Sequence, residues 1–261
     1  MSQSDGIVGA IPARYGSTRL PGKPLLELAG KPMVQHVVER VSRVPEIDRV
    51  VVLTDDERIF RAVESFGGEA EMTPADCASG TDRIAYAAEA WSARAVINVQ
   101  GDEPLIDPQA VSRLAHRLTT DPECEMVTLA APLPADRLPD PNAVKVVHSR
   151  DGRALYFSRA PIPHARHEGE FDPLLHIGIY GYRRDVLLRL AKLDPTPLER
   201  AESLEQLRAL EHGISIHVLR LDHMSTGGVD TAEDLAEMKR ALREQRLSSD
   251  IQHPATTPTD P

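Results

Sequence analysis

The chain is poor in cysteine, in aromatic residues and in long apolar runs. Its two cysteines, Cys77 and Cys124, lie far apart in neither a CxxC nor a paired spacing. That argues against a disulfide scaffold and fits a reducing compartment in which both are ordinary structural thiols. Aromatics are only 4% of 261 residues. The interior must therefore be aliphatic, as it commonly is where helices cover a parallel sheet. No apolar stretch approaches the roughly 18 residues that cross a bilayer. The N-terminal "MSQSDGIVGAIPAR" has neither a basic start nor a long apolar run, so no secretory signal is expected. Also missing is any concentration of positive charge: the net charge is −10 and the basic residues are scattered. This argues against partnership with nucleic acid or an anionic membrane, and any anionic ligand must meet a local site. These absences describe a globular, cytoplasmic protein. A chain of this length buries roughly 70 to 75% of its unfolded surface, which is enough core without staples.

What is present is alternation. "GIVGAIPAR" is a short apolar strand stopping at Pro12, and "RVVVLTDD" (49–56) is a buried strand ending in acids. Between them Val34, Val37, Val38 and Val41 recur at helical spacing, so the start reads as a parallel, right-handed βαβ unit. Ile59, Ala62, Val63 and Phe66 mark the next helix, stopped by Gly67 and Gly68. "RAVINVQGDEP" (94–104) is another buried strand running into an acidic turn, and Asp107 with Pro108 makes an N-cap and first-turn pair. From about Leu129 the pattern loosens. "APLPADRLPDPNAVK" and "APIPHARHEGEFDP" are proline-rich loops long enough to be functional or to cover an interface. Beyond them come the strand "LLHIGIYGYRR", a helix over about 198–212 closed by Gly213, the strand "ISIHVLRL", and a last helix opening at a capping-box-like Thr231 and Asp234 pair. Residues 248–261 lack an apolar face and read as a disordered tail. No linker divides the rest. The expected fold class is α/β, one domain over 1–247 with a mixed, mostly parallel sheet and a loop-rich insertion.

"IPARYGSTRLPGKPL" (11–25) carries the glycine and lysine punctuation of a phosphate loop but not its spacing. Five residues, not four, separate Gly16 from Gly22-Lys23, and Pro24 stands where a Walker-type loop has its metal-binding Ser or Thr. Pro21 and Pro24 also remove two backbone donors, so a cradle built of amides is disfavoured. What remains is a segment beyond the first strand's C-terminal end, where open α/β sheets bind ligands, carrying Arg14, Arg19 and Lys23. Three cations in ten residues of an acidic protein point to a triphosphate clamp, the alternative being a solvated basic loop. Asp102 follows Gly101 directly after a buried strand and could hold hydrated magnesium, or be a turn acid. Asp230, after paired glycines, could be a second carboxylate for the same ion or a cap of the last helix.

Three further clusters stand out. In "SGTDR", Gly80, Thr81 and Arg83 begin a helix and could contact a nucleotide. Arg159 in "YFSRAPIP" could form a bidentate pair with a carboxylate. "HIGIYGY" alternates, so His176, Gly178 and Tyr180 share one face and Ile177 and Ile179 the other; the polar face either lines a pocket or is merely half-exposed. In "LEQLRAL", Glu205 and Gln206 could reach a polyhydroxylated ligand while Leu204 and Leu207 are core.

Taken in order, "IPARYGSTRLPGKPL", "SGTDR", "NVQGDEP", "NAVKVV", "ALYFSRAPIP", "HIGIYGY", "PLERAESLEQLRAL" and "GVDT" resemble the CMP-Kdo synthetases, the 3-deoxy-manno-octulosonate cytidylyltransferases, over about Ile7 to Leu242. The resemblance implies a Rossmann-like nucleotidyltransferase fold, a homodimer, and the reaction of CTP with Kdo to CMP-Kdo and pyrophosphate for lipopolysaccharide biosynthesis, with magnesium as cofactor. It further implies nucleotide contacts at Ala13, Arg14, Arg19, Lys23, Gly80, Thr81, Arg83 and Gln100, and metal at Asp102 and Asp230. Sugar-acid contacts fall on Arg159, His176, Tyr180, Glu205 and Gln206, with the sugar-acid and dimerisation part at about 129–215. Lys23, Arg19, Asp102 and Asp230 would carry catalysis, and His176 would bind rather than transfer protons. Two departures touch loop conformation: His164 stands where the family often has an aromatic, and the glycine spacing before Asp230 differs. A related sugar acid, such as an 8-amino Kdo or a sialic-type acid, and a non-catalytic nucleotide-binding module are the competing readings.

Overall fold

The computed structural model describes residues 6–16, 20–167, 171–223, 228–229 and 231–252, with side chains to 244. Arg19 and Asp230 lie outside these. The strands are β1 (Gly6–Pro12), β2 (Glu27–Leu28), β3 (Lys31–Pro32), β4 (Arg49–Thr54), β5 (Glu69–Met72), β6 (Ala93–Asn98), β7 (Met126–Pro132), β8 (Lys145–His148), β9 (Ala154–Ser158), β10 (Leu174–Arg183) and β11 (Ile216–Arg220). The helices are α1 (Met33–Val41), α2 (Glu57–Ser65), α3 (Gly80–Ala88), α4 (Pro108–Thr120), α5 (Arg184–Leu190), α6 (Pro197–Glu202), α7 (Gln206–Glu211) and α8 (Ala232–Gln252).

β11-β7-β10-β6-β1-β4-β5 form one sheet, to which the β8–β9 hairpin is added through β10. β1 runs parallel to both β4 and β6, as the βαβ reading requires, while β10 runs antiparallel to β6 and β7. The sheet is thus mixed and mostly parallel. Strand alternation divides the core. Ile7 and Ile11 of β1, Val52 of β4 and Ile97 of β6 pack against α1, α2 and α4 on one face. Val8, Ala10, Val51, Leu53 and Val96 pack with α3, α5 and α7 on the other. The α1 valines at positions 34, 37, 38 and 41 are all buried, so the 3.6-residue period there reports a true inward stripe. A third, smaller core joins Met238 and Leu242 of α8 to Leu28, Met33 and Leu105, which fastens the last helix beside the β1 and β6 loops.

Two expectations need correction. The single helix over 198–212 is two: Ser203, at φ 52°, ends α6, and α7 starts at Gln206. Its left-handed backbone cannot continue a helix, and nothing in the residue type announces it. The last helix runs to Gln252, past the Leu247 at which a disordered tail was expected to begin. Ser248, Ser249 and Asp250 lack an apolar face but tolerate helical backbone, so lost amphipathicity did not mark the helix end. The proline-rich stretch after β9 holds a cis Ile162–Pro163 bond and an exposed run through His167.

Candidate active site

The site grows from the ends of β1, β4 and β6. β1 delivers Pro12, Ala13 and Arg14; the loop then turns back, with Gly22 N–H donating to the Tyr15 carbonyl at 2.9 Å. Gly22 adopts φ 68°, and a Cβ there would sit 2.9 Å from the Tyr15 ring, so both conformation and space call for glycine. Directly after it a short 3₁₀ turn, Lys23–Leu25, buries Pro24. The proline that spoils the Walker pattern thereby anchors the turn that presents Lys23. β6 ends in the tight turn carrying Gln100, Gly101 and Asp102, where a Cβ on Gly101 would stand 3.1 Å from the Pro12 carbonyl. The β1 loop and the β6 turn therefore touch, and Lys23 Nζ donates to Asp102 Oδ2 at 2.5 Å.

Val229 N–H donates to the backbone carbonyl of Asp102 at 2.9 Å, so residues 228–229 abut this turn. Asp230 itself lies outside the described residues. Thr231 and Asp234 form a reciprocal capping box, with Thr231 N–H to Asp234 Oδ2 at 2.8 Å and Asp234 N–H to Thr231 Oγ1 at 3.1 Å.

A cavity of about 460 Å³ opens here, walled by Pro12, Ala13, Arg14, Lys23 and Pro24, by Cys77 to Gly80 with Arg83, and by Gln100, Gly101 and Asp102. Its size suits a nucleotide-scale ligand. Ser79 caps α3, its hydroxyl accepting from Asp82 N–H at 3.1 Å, which sets the head of that helix against the cavity. Of the residues expected at a nucleotide, Ala13, Arg14, Lys23, Gly80, Arg83 and Gln100 line this wall; Arg19 lies outside the described residues. Thr81 does not line it, because its side chain is buried. Arg83, expected at the nucleotide, is already engaged by the protein. Its guanidinium is buried, bonded to Asp55 at 3.0 Å, to the Pro74 carbonyl at 3.3 Å and to Thr73 Oγ1. Cys77, read as an ordinary structural thiol, lines the cavity because the 73–79 turn lifts it to the head of α3.

Of the residues expected at a sugar acid, His176 and Tyr180 stand together on β10, while Arg159 follows β9 and Glu205 and Gln206 open α7. His176, half-buried, packs edge-on to Phe157 at 4.9 Å and against Tyr180 at 5.3 Å, and Tyr180 continues to Tyr182 at 5.9 Å. Burial pushes the His176 imidazole down to about 3, so the ring is neutral at ordinary pH. Burial also pushes the Tyr180 phenol up, with Tyr182 and Glu205 adding to it. Gln206 is buried in the first turn of α7, directly after Glu205. Arg159 is held rather than loose. Its Nε donates to the Glu202 carbonyl at 2.7 Å, and its two terminal nitrogens donate to the Pro141 and Ser203 carbonyls at 3.0 and 3.3 Å. Among the described residues, three of its five N–H groups are engaged, so one on each terminal nitrogen could meet a carboxylate. The two clusters meet through Gln100, whose Nε2 donates to the Gly178 carbonyl at 3.2 Å.

Several neighbours of the site had no role assigned to them in the sequence. Lys145 of "NAVKVV" is fully buried, and its Nζ donates to the Asp140 carbonyl at 2.9 Å and to the Arg159 carbonyl. Burial lowers its pKa. Glu103, beside Asp102, has its carboxyl pushed up to about 8 by burial, with the Asp102 charge adding to it. Asp55 was legible only as one of two acids ending a strand. Thr128 had no signal at all.

A strand-end crevice with a cationic loop, a facing carboxylate and a nucleotide-sized cavity defines a nucleotidyltransferase of the α/β class. The sequence profile of the cytidylyltransferase family matches residues 8–216. A 3-deoxy-manno-octulosonate cytidylyltransferase from Syntrophotalea carbinolica is 51% identical, covering 91% of this chain and 98% of its own length. The Myxococcus xanthus protein of the same name is 50% identical, covering 92% and 98%. Among solved structures, a CMP:2-keto-3-deoxy-manno-octonic acid synthetase complexed with CTP superposes with a TM-score of 0.90 at 44% identity, covering 92% of this chain and 99% of that one. The chain belongs to the 3-deoxy-manno-octulosonate cytidylyltransferase family.

Proposed function

We propose that this enzyme activates 3-deoxy-manno-octulosonate with CTP, giving CMP-Kdo and pyrophosphate as the activated sugar for lipopolysaccharide biosynthesis. The observation that carries the reading is the meeting of Lys23 with Asp102 at the mouth of the nucleotide-sized cavity. Phosphate-binding cation and metal-binding carboxylate stand together, as transfer at a phosphate requires. The anomeric hydroxyl oxygen bonds to the α-phosphorus and gives its proton to solvent, while the bond from that phosphorus to the bridging oxygen breaks and that oxygen leaves with pyrophosphate.

Arg14 and Lys23 hold phosphate oxygens, with Arg19 proposed to join them. Arg83, tied to Asp55, shapes the wall more than it reaches outward. Gln100, on the nucleotide wall, reaches the β10 segment that carries His176 and Tyr180, so the two substrates are positioned by one connected frame. Arg159 offers its remaining N–H pair to the sugar carboxylate, and His176, neutral, binds without moving a proton.

Asp102 presents a partly exposed carboxylate, a hard oxygen donor suited to magnesium. Among the described residues no three His, Cys, Asp or Glu side chains could hold a metal alone. Magnesium takes one or two carboxylates and otherwise phosphate and water. Asp230 would supply the second carboxylate, since residues 228–229 already abut Asp102. Bound there, magnesium would neutralise phosphate charge and lower the pKa of the attacking hydroxyl.

Among the described residues no helix is long and apolar enough to cross a membrane, and we place the reaction in the cytoplasm. A homodimer through the 129–215 part would cover Leu155, Phe171 and Leu198, all exposed there. Sedimentation at micromolar concentration should give twice the chain mass; a monomer would remove the assembly.

Pyrophosphate release with CTP, Kdo and magnesium together, absent when any one is omitted, tests the activity. Turnover only with an 8-amino or sialic-type acid would redirect the substrate. Silence with all three acids would leave a binding module.

A further inference from the structure

β7 and β10 pair in register from Leu174↔Pro132 to Ile177↔Leu129, and resume at Tyr180↔Thr128. Two residues of β10, Gly178 and Ile179, are therefore extra, and the strand bulges between the two ring-bearing residues of the proposed sugar-acid face. A bulge leaves carbonyls without ladder partners, and these need other donors. Thr128 Oγ1, on a fully buried residue, lies 2.9 Å from the Ile179 carbonyl and 3.2 Å from the Ile177 carbonyl. The same oxygen lies 3.0 Å from His176 Nε2.

A hydroxyl has one hydrogen and two lone pairs, whereas a carbonyl can only accept. The Thr128 hydrogen is therefore drawn to the bulge carbonyls, and the contact with His176 is satisfied when Nε2–H donates to Oγ1. We propose that Thr128 is a positioning residue for sugar-acid selection: it pins the β10 bulge and holds His176 as the Nε2–H tautomer. Nδ1 then keeps its lone pair as an acceptor for a substrate hydroxyl. This rests on the proposed function, in which His176 contacts the sugar acid. It adds that the ring contributes an acceptor of fixed direction, a means of recognising a polyol by its hydroxyls. The neutral state of the ring is consistent with this, since an imidazolium would have no acceptor.

The test compares Thr128→Val, Thr128→Ser, His176→Ala and the Thr128→Val/His176→Ala double variant by pyrophosphate release. Thr128→Val should raise the KM for Kdo about tenfold with the KM for CTP unchanged, the usual effect of a lost buried hydrogen bond. Thr128→Ser, which keeps the hydroxyl, should stay within about twofold of the parent, and Thr128→Val should add less than about twofold to His176→Ala if it acts through the ring. Equal rises in both KM values, failure of Ser to rescue, or the full penalty in the His176→Ala background would overturn the proposal. Histidine side-chain ¹⁵N NMR on the unsubstituted protein gives a second readout that needs neither variants nor turnover. An Nε2–H tautomer supports the assignment, and an Nδ1–H tautomer refutes it. A protein silent in every pyrophosphate assay but showing Nε2–H would overturn the functional reading and leave the Thr128 contact standing.

Discussion

Lys23 and Arg83 face the same cavity and each meets an aspartate, yet truncating them should have opposite signatures. The Lys23–Asp102 pair keeps solvent contact, with side chains 13% and 29% exposed. Partly exposed pairs are worth about 1 kcal/mol or less to folding, so Lys23→Met should lower the melting temperature by no more than about 4 °C. Its loss falls on the reaction instead. If Lys23 holds a reacting phosphate, as proposed, its removal costs about 10²- to 10³-fold in turnover, as for other groups that stabilise developing charge. Arg83 is 5% exposed and its partner Asp55 20%. Arg83→Met strands a half-buried carboxylate and takes a donor from the buried Thr73 hydroxyl and the Pro74 carbonyl. Breaking such a pair costs about 3 to 5 kcal/mol, and the residual exposure of Asp55 puts the lower end in force. In a protein of this size that is a fall of roughly 10 °C. Thermal unfolding by circular dichroism and pyrophosphate release at saturating substrates read the two effects separately. If Lys23→Met melted as far down as Arg83→Met, or kept turnover within about tenfold of the parent, the division into a reacting and a wall-building cation would be wrong.

Asp102→Asn should abolish most turnover while leaving the far-ultraviolet spectrum unchanged; near-normal rates at saturating magnesium would remove the metal role. His176 has its pKa lowered from 6.5 to about 3. Its contribution to stability is therefore whole above 6.5 and is lost as pH falls toward 3. His176→Phe should flatten the melting-temperature profile between pH 6.5 and 4.5, and an unchanged slope would contradict the burial argument. Gly181→Ala would place a Cβ 2.7 Å from Leu118 Cδ1, 2.9 Å from Val127 Cγ1 and 3.0 Å from Ile97 Cδ1. Overpacking of that kind costs about 1 to 3 kcal/mol, read as a lowered urea midpoint. An unshifted midpoint would show that the sheet yields there.

The sequence by itself determined the alternating strands and helices, because apolar period and caps are local properties: the α1 valines, Asp107 before Pro108, and Thr231 with Asp234 all read directly. It also determined the motif order and family resemblance, and that the β1 loop could not be a Walker loop. Tertiary structure alone decided which charges are spent. Arg83 is tied to Asp55 and Arg159 to three carbonyls, whereas Lys23 meets Asp102, although all three basic residues look alike in the chain. Ser203 breaks a helix and Gly178–Ile179 bulge a strand through backbone geometry that residue type does not announce. Thr128 and Lys145 acquire roles only where the backbone brings distant carbonyls to them. Hydrogen bonding and desolvation depend on partners far apart in sequence, so burial and partnership become readable only after the sheet has closed.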